Sequence, residues 1–437
     1  MATQARVPGS SLPSSMLVRA LGGWRQLQAN SLGQGSVALV DQAVVSGTRF
    51  LTTVVVGRTC GADALGIYSL AFIFVVVFIC VQDALISTPY TVFSGRLCGR
   101  RLRLLAGSVL AHQAMLSVVA VCCLISLGAA LSLRASLSPL ASVLWILGGV
   151  MPFCLLREFA RKFVFARLKV LIALGIDAVA AVVQIGGLIA LACFGILSPA
   201  TALAVMGFAC AASGLGWLYL ARTEFQPRRI HARKQLKQNW RFGKWLCATQ
   251  LSGVVHANIV EFCLMAMVGA AATGRYVACL TLVLLCNPFI LGVVNYMTPK
   301  AVQALCDDGD RGVRRVTMKT SFLFAGAIGT YCLLLAVFGD ALLLIVFGKG
   351  FAGQGLIIVL ALCSLAWGQI AAVSCGLAAI ERADVSFRGG LIGLGLTAIA
   401  VPVLVPSWGS VGAAIGLLIG SITSAALQTF TFLRLTR

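Results

Sequence analysis

The stretches GADALGIY (Gly61–Tyr68) and GAAATGRY (Gly269–Tyr276) are two copies of one motif, G-A-x-A-x-G-x-Y, placed 208 residues apart. Each copy follows one long apolar segment and precedes another. The segment after the first copy reaches Thr88-Pro89, and the segment after the second reaches Thr298-Pro299, 210 residues further on. The register therefore holds within two residues across a whole segment. We predict an internal repeat of two equivalent halves.

The repeat lies within about a dozen apolar segments, each close to the ~20 residues that cross ~30 Å of hydrocarbon. Hydrophobic residues make up 59% of the chain and its mean hydropathy is +0.98, far above the range of soluble proteins. We therefore expect an all-α polytopic membrane protein. The predicted helices are roughly 34–57, 66–91, 104–130, 139–156, 170–194, 198–221, 245–268, 274–298, 317–339, 354–380, 389–406 and 408–433.

Positive charges occupy alternate gaps between these segments. Of 34 Lys and Arg residues, 29 lie in the two termini and in every second gap, whereas the remaining gaps hold four. The positive-inside rule then places both termini and the basic gaps in the cytoplasm. The same rule accounts for the net charge of +21 by facing it toward anionic membrane lipid, so no nucleic-acid partner is needed.

The longest and most basic gap divides the predicted helices six and six. We predict a cytoplasmic tail over 1–30, a six-helix bundle over 31–221, a basic cytoplasmic linker over 222–244 and a second six-helix bundle over 245–437. Two such bundles, related by an axis along the membrane normal, enclose a central cavity. This architecture is typical of transporters that work by alternating access.

The composition argues against enzymatic function and against metal or cofactor binding. The predicted outer gaps are short, which leaves little room for an external active site. Only three histidines occur, without the spacing of metal ligands, and no nucleotide-binding P-loop is present. We expect no cofactor, no metal and no catalytic residues.

Two segments resemble a known family. The stretch RTCGADALGIY (Arg58–Tyr68) resembles the junction of the first two helices of polysaccharide-biosynthesis flippases, and LREFARK (Leu156–Lys162), running on to Asp177, resembles their junction of helices 4 and 5. These flippases belong to the multidrug, oligosaccharidyl-lipid and polysaccharide exporter superfamily. The resemblance implies a V-shaped pair of bundles that moves polyprenyl-pyrophosphate-linked oligosaccharide across the cytoplasmic membrane. It also implies a polysaccharide polymerase and a chain-length regulator as candidate partners.

Two other functions remain open. One is a cation-coupled multidrug or small-molecule antiporter of the same superfamily. The other is a membrane-bound glycosyl-transfer or ligation enzyme acting on the same lipid carrier, which the short outer gaps disfavour. Cationic drug exporters favour acidic and aromatic cavities, whereas the outermost charge of the first helix is an arginine. An anionic substrate is therefore favoured.

Ionisable and polar residues at membrane depth are the candidate functional residues, because they are costly unless they face a cavity or a partner. In the first predicted helix the polar residues that share one face are Asp41, Thr48, Arg49 and Thr52. In the seventh they are Gln250, Asn258 and Glu261. The family resemblance implies that both helices line the central cavity. We predict that the substrate-binding residues are Arg49, Glu261, Asn258, Gln250 and Thr52.

Arg49 and Glu261 lie at nearly the same depth in their predicted helices. We hypothesise that they pair across the interface when the cavity is closed to the outside, and that the substrate pyrophosphate competes for Arg49. The planar guanidinium suits this role because it binds phosphate oxygens in a bidentate contact. The alternatives are a permanent structural ion pair, or an Arg49 side chain neutralised by Asp41.

Three aspartates, Asp41, Asp83 and Asp177, lie at a similar distance from the cytoplasmic ends of their predicted helices. Acids gathered at one depth in a single bundle are candidates to hold a proton or Na⁺ that couples export to an ion gradient. The alternative is that they are solvated in an inward-open vestibule or cap backbone groups.

Overall fold

The computed structural model describes residues 31–95, 97–133, 138–226, 228–351 and 354–436. The predicted tail, 1–30, lies outside them. All regular elements of the described residues are helical. The α-helices are α1 Ser31–Gln82, α2 Thr88–Ser94, α3 Gly99–Ser132, α4 Ser138–Phe165, α5 Val170–Cys193, α6 Pro199–Ala221, α7 Arg229–Met267, α8 Ala270–Val283, α9 Asn287–Val346, α10 Gln354–Ala379 and α11 Ala383–Leu435. A π-helical turn, Asp83–Ser87, joins α1 to α2, and short 3-10 turns lie at Arg222–Glu224 and Leu284–Cys286.

Nine stretches of the described residues are long and apolar enough to span a membrane. Three of these stretches are interrupted in their interior by a glycine with a left-handed φ, at Gly61 (86°), Gly309 (62°) and Gly409 (54°). Side chains with a Cβ rarely adopt this conformation, so glycine permits the helix axis to break there. Gly61 and Gly309 lie in gaps between predicted helices, and Gly409 is the second residue of the last predicted helix.

The Thr-Pro pairs of the repeat do not end helices, contrary to the prediction. Pro89 lies in the first turn of α2, where the missing N–H costs nothing, and Pro299 lies inside α9, which continues to the break at Gly309. The helices of both repeat units therefore extend further than their apolar segments. The register of the repeat is unaffected.

Helix α7 begins at Arg229, 16 residues before the predicted start at 245. Most of the basic linker is thus helical, because its Arg, Lys and Gln residues are good helix formers even though they are polar. The added turns pack on the first half of the chain. A Cβ atom at Gly243 would collide with the Ala84 carbonyl oxygen, and the His112 Nε2 atom lies 2.9 Å from the carbonyl oxygen of Ala232.

The two copies of the repeat motif pack directly on each other. A Cβ atom at Gly66 would collide with the Ala270 carbonyl oxygen, and one at Gly274 would collide with the Ala62 carbonyl oxygen. These pairs are equivalent in the repeat, so the contact has local two-fold symmetry. Beside it, Nη1 of Arg58 donates a hydrogen bond of 2.5 Å to the Ile345 carbonyl oxygen. The two halves of the repeat are therefore joined at this end of the bundle.

Candidate functional site

A cavity of about 230 Å³ lies next to the packed repeat motifs, between α1, α7, α8 and the start of α9. Both parts of α1, before and after the break at Gly61, contribute to its wall. The polar and charged residues that line it are Ser46, Arg49, Thr53, Tyr68, Ser69, Asn258, Glu261, Thr281 and Asn287. Residues from both halves of the repeat therefore face one space.

Arg49 extends into this cavity from α1 and is exposed there. The Cζ atom of its guanidinium lies 4.7 Å from the centroid of the Phe72 ring, an arrangement that stabilises the cation over the π face. In the described part of the chain, the Arg49 guanidinium makes no ion pair or hydrogen bond with another side chain. Asp41 is not its partner, because the Asp41 Oδ2 atom pairs with Nη2 of Arg161 at 2.9 Å. The guanidinium is thus available to an anion.

Glu261 lies on α7 and lines the same cavity, although only 6% of the residue is exposed. The hydroxyl of Ser69 donates a hydrogen bond of 2.5 Å to its Oε2 atom. This bond joins the two repeat halves at cavity depth. Glu261 and Arg49 line one cavity, but they do not form an ion pair. The hydrogen-bond donor to the Glu261 carboxylate is the neutral Ser69 hydroxyl.

The other predicted substrate-binding residues divide into two groups. Asn258 lines the cavity, and its Nδ2 atom donates to the Val254 carbonyl oxygen at 2.7 Å. Thr52 is 1% exposed and accepts a hydrogen bond of 2.9 Å from Nε2 of Gln184, and it does not line the cavity. Gln250 also lies elsewhere, with its Nε2 atom 3.5 Å from the Oδ2 atom of Asp83.

The sequence did not single out four of the cavity residues, Ser69, Phe72, Thr281 and Asn287. They are uncharged residues on apolar helices, and nothing in their local pattern distinguishes them from packing residues. The repeat offered one indication that these residues line a cavity, because it relates the helices that follow the two motif copies. If one of those helices lines a central cavity, the other does so too.

The three aspartates predicted as coupling sites are paired with cations of α4. Asp177 pairs with Arg157 and with Nε of Arg161 at 2.8 Å, and Arg161 also pairs with Asp41. The Oδ1 atom of Asp83 lies 3.1 Å from Nζ of Lys162. All three cations belong to the LREFARK segment, so this segment neutralises the acids of the first half.

These aspartates differ in accessibility. The side chains of Asp41 and Asp177 are fully buried, whereas 23% of the Asp83 side chain is exposed. Asp83 also begins the π-helical turn, a feature that is frequent at functional sites. Its contact with Gln250 of α7 crosses between the repeat halves. Of the three, Asp83 is the one that an ion from solution can reach.

Comparison with known proteins adds to this geometry. The family model described as "Polysaccharide biosynthesis protein" matches residues 31–299. A search of curated proteins found no match.

Several solved structures share the fold at low sequence identity. An inward-facing multidrug resistance MATE family transporter of the MOP superfamily superposes with a TM-score of 0.73 at 14% identity, covering 90% of this chain and 94% of that one. An outward-facing structure from the MATE family gives 0.62 at 14% identity, covering 94% and 97%. The lipid II flippase MurJ in an inward closed conformation gives 0.66 at 14% identity, covering 93% and 90%.

Proposed function

Because the chain belongs to the polysaccharide biosynthesis protein family, we propose that it moves a polyprenyl-pyrophosphate-linked oligosaccharide across the cytoplasmic membrane by alternating access. The observation that carries this proposal is the Arg49 guanidinium, which faces a cavity between apolar helices without a carboxylate partner. An unpaired cation at membrane depth is costly and marks a substrate path. A diphosphate supplies the missing counter-charge in the bidentate geometry that arginine favours.

We propose that the breaks at Gly61, Gly309 and Gly409 divide the nine apolar stretches into twelve spans. The charge distribution supports cytoplasmic termini and two six-helix bundles, 31–221 and 245–437. In that orientation the packed repeat motifs lie at the outer end of the bundles. The arrangement described here is then closed to the outside, and the higher TM-score with the inward-facing MATE transporter supports this assignment.

In this orientation the headgroup enters from the cytoplasmic side and its diphosphate binds Arg49. The Phe72 ring beneath the guanidinium and the Ser69 hydroxyl on Glu261 keep the two charged groups apart, so the substrate does not first have to break an ion pair. Export then requires the repeat motifs to separate. We propose that the chain itself catalyses no covalent step, and that a polysaccharide polymerase and a chain-length regulator act beside it.

We propose Asp83 as the residue that couples export to a proton or Na⁺ gradient. Asp83→Asn is expected to keep the fold and to change the dependence of transport on pH or Na⁺. Asp177→Asn is the matched control, because removing this buried carboxylate takes away the ion-pair partner of Arg157 and costs about 3–5 kcal/mol of stability. Proteoliposome flux under imposed gradients and melting temperature separate the two effects. Asp83→Asn flux with the wild-type ion dependence would refute the coupling role.

A second function deserves a test, a cation-coupled multidrug or small-molecule antiporter. The fold shared with MATE transporters and the carboxylate of Glu261 in the cavity favour it. Arg49 disfavours it, because a cationic compound in the same cavity would be repelled by the guanidinium.

Mass spectrometry of polyprenyl-pyrophosphate-linked sugars in cells depleted of the protein tests the proposal. Build-up of one lipid-linked oligosaccharide in the cytoplasmic leaflet is the expected result, and it would name the substrate. Unchanged lipid-linked sugars together with greater sensitivity to toxic cations would support the antiporter instead.

A further inference from the structure

Three of the five hydroxyl groups that line the cavity use their protons within the protein. Ser69 donates to Glu261, Thr53 donates to the Arg49 carbonyl oxygen at 3.0 Å, and Thr281 donates to the Val277 carbonyl oxygen at 2.7 Å. A hydroxyl has one proton and two lone pairs. Each of these side chains therefore offers a ligand only acceptor capacity.

Two groups on α7 add further acceptors. A backbone carbonyl can only accept, so the Asn258 amide turns its nitrogen toward Val254 and keeps its oxygen and one N–H for other partners. Glu261 accepts from Ser69 at Oε2 and keeps Oε1. We call Asn258, Glu261 and Thr281 the acceptor wall. It lies on α7 and α8, in the second half of the chain.

Arg49, on α1, has the opposite character. A guanidinium carries five N–H donors and no acceptor. The cavity therefore has a cationic donor group from the first half and an acceptor wall, with one carboxylate, from the second. A ligand that matches both must carry an anionic acceptor group next to a group rich in donors.

We propose that the acceptor wall is a sugar subsite, which binds hydroxyl or N–H groups of the first sugar while the diphosphate binds Arg49. This inference rests on the proposed function. The oxygens of a diphosphate are acceptors and are repelled by the wall, whereas sugar hydroxyls donate to it and form stronger, charge-assisted bonds with Glu261. The two ends of the cavity thus orient the headgroup.

The position of the acceptor wall indicates which part of the substrate is read. The wall and Arg49 line one cavity, so the sugar bonded to the diphosphate is the group nearest to the wall. Selectivity is then exerted on that sugar.

Binding to the purified full-length protein in nanodiscs tests the subsite. The probes are undecaprenyl diphosphate and its conjugates with glucose, galactose and N-acetylglucosamine. At least one conjugate is expected to bind more tightly than the bare diphosphate. Glu261→Gln is expected to reduce that gain about tenfold or more, as loss of a hydrogen bond to a charged group predicts, without weakening the bare diphosphate.

Thr281→Val is the second variant, because it removes an acceptor at nearly constant volume, and it is expected to reduce the same gain. Thr330→Val removes a hydroxyl from α9 outside the cavity and serves as the control. If no conjugate binds more tightly than the bare diphosphate, or if both cavity variants leave that gain in affinity unchanged, the sugar subsite is refuted. Binding of the bare diphosphate would in that case still support the proposed function. If no lipid probe bound and tetraphenylphosphonium bound in a Glu261-dependent manner, both would fail.

Discussion

Arg49→Ala is expected to abolish export of lipid-linked sugar, and Arg49→Lys to retain a small fraction of it. Alanine removes a bidentate contact of two charge-assisted hydrogen bonds, each worth about 1.5–3 kcal/mol, which corresponds to a loss of more than a hundredfold in diphosphate affinity. Lysine keeps the charge but not the planar fork. Flux of undecaprenyl-diphosphate-linked sugar into proteoliposomes measures the effect.

We expect Arg49→Ala to lose export without losing stability. Because Arg49 makes no ion pair with the described residues and Glu261 keeps its hydrogen bond from Ser69, the melting temperature should stay close to that of the wild type. Arg382→Ala is a control, since this arginine forms an exposed pair with Asp384. Wild-type flux in Arg49→Ala would remove the central support of the proposed function.

Gly274→Ala is expected to stop transport by preventing closure of the outer end. The new methyl group would collide with the Ala62 carbonyl oxygen, and backbone atoms cannot yield as a flexible side chain can. Overpacking costs typically about 1–3 kcal/mol, enough to shift an equilibrium of conformations roughly 5- to 150-fold. Gly66→Ala is expected to act in the same way, because it meets Ala270 in the equivalent contact.

The shift can be followed with Thr281→Cys in a cysteine-free background. A membrane-impermeant thiol reagent added from outside is expected to label this cavity position faster when Gly274→Ala is present. Gly253→Ala is the matched control, since a Cβ atom there has open space. Unchanged labelling together with wild-type flux would show that the repeat contact does not govern access.

Much of the fold follows from the sequence, because the cost of exposing polar groups to lipid constrains the helices strongly. The all-helical membrane fold was predicted from apolar length, and the breaks at Gly61 and Gly309 lie in predicted gaps between helices. The start of α7 at Arg229 was not predicted, because hydropathy detects only the part of a helix that is apolar. The contact between the motif copies was also beyond prediction, because a repeat gives equivalence and not proximity.

The candidate site was partly predictable for the same reason. Arg49 and Glu261 stood out as charges at membrane depth, and both line the cavity. Thr52 shares a wide helical arc with Arg49, but a helical wheel does not show which side of that arc faces a neighbouring helix, and Thr52 contacts Gln184. The pairing of Asp41 with Arg161 joins residues 120 positions apart and has no local signal.

The continuity of helix α7 restricts how the two halves of the protein can move. Its 39 residues form a rod of about 58 Å at 1.5 Å per residue, with no flexible tether between the basic turns and the cavity. The helix contacts the first half near its start, at Ala232, and again in its middle, where Gly243 packs on Ala84, whereas Glu261 near its end faces the cavity. A continuous helix of this length moves as one rigid unit. In the proposed orientation, a tilt of α7 that opens the cavity therefore also moves the basic turns along the cytoplasmic surface.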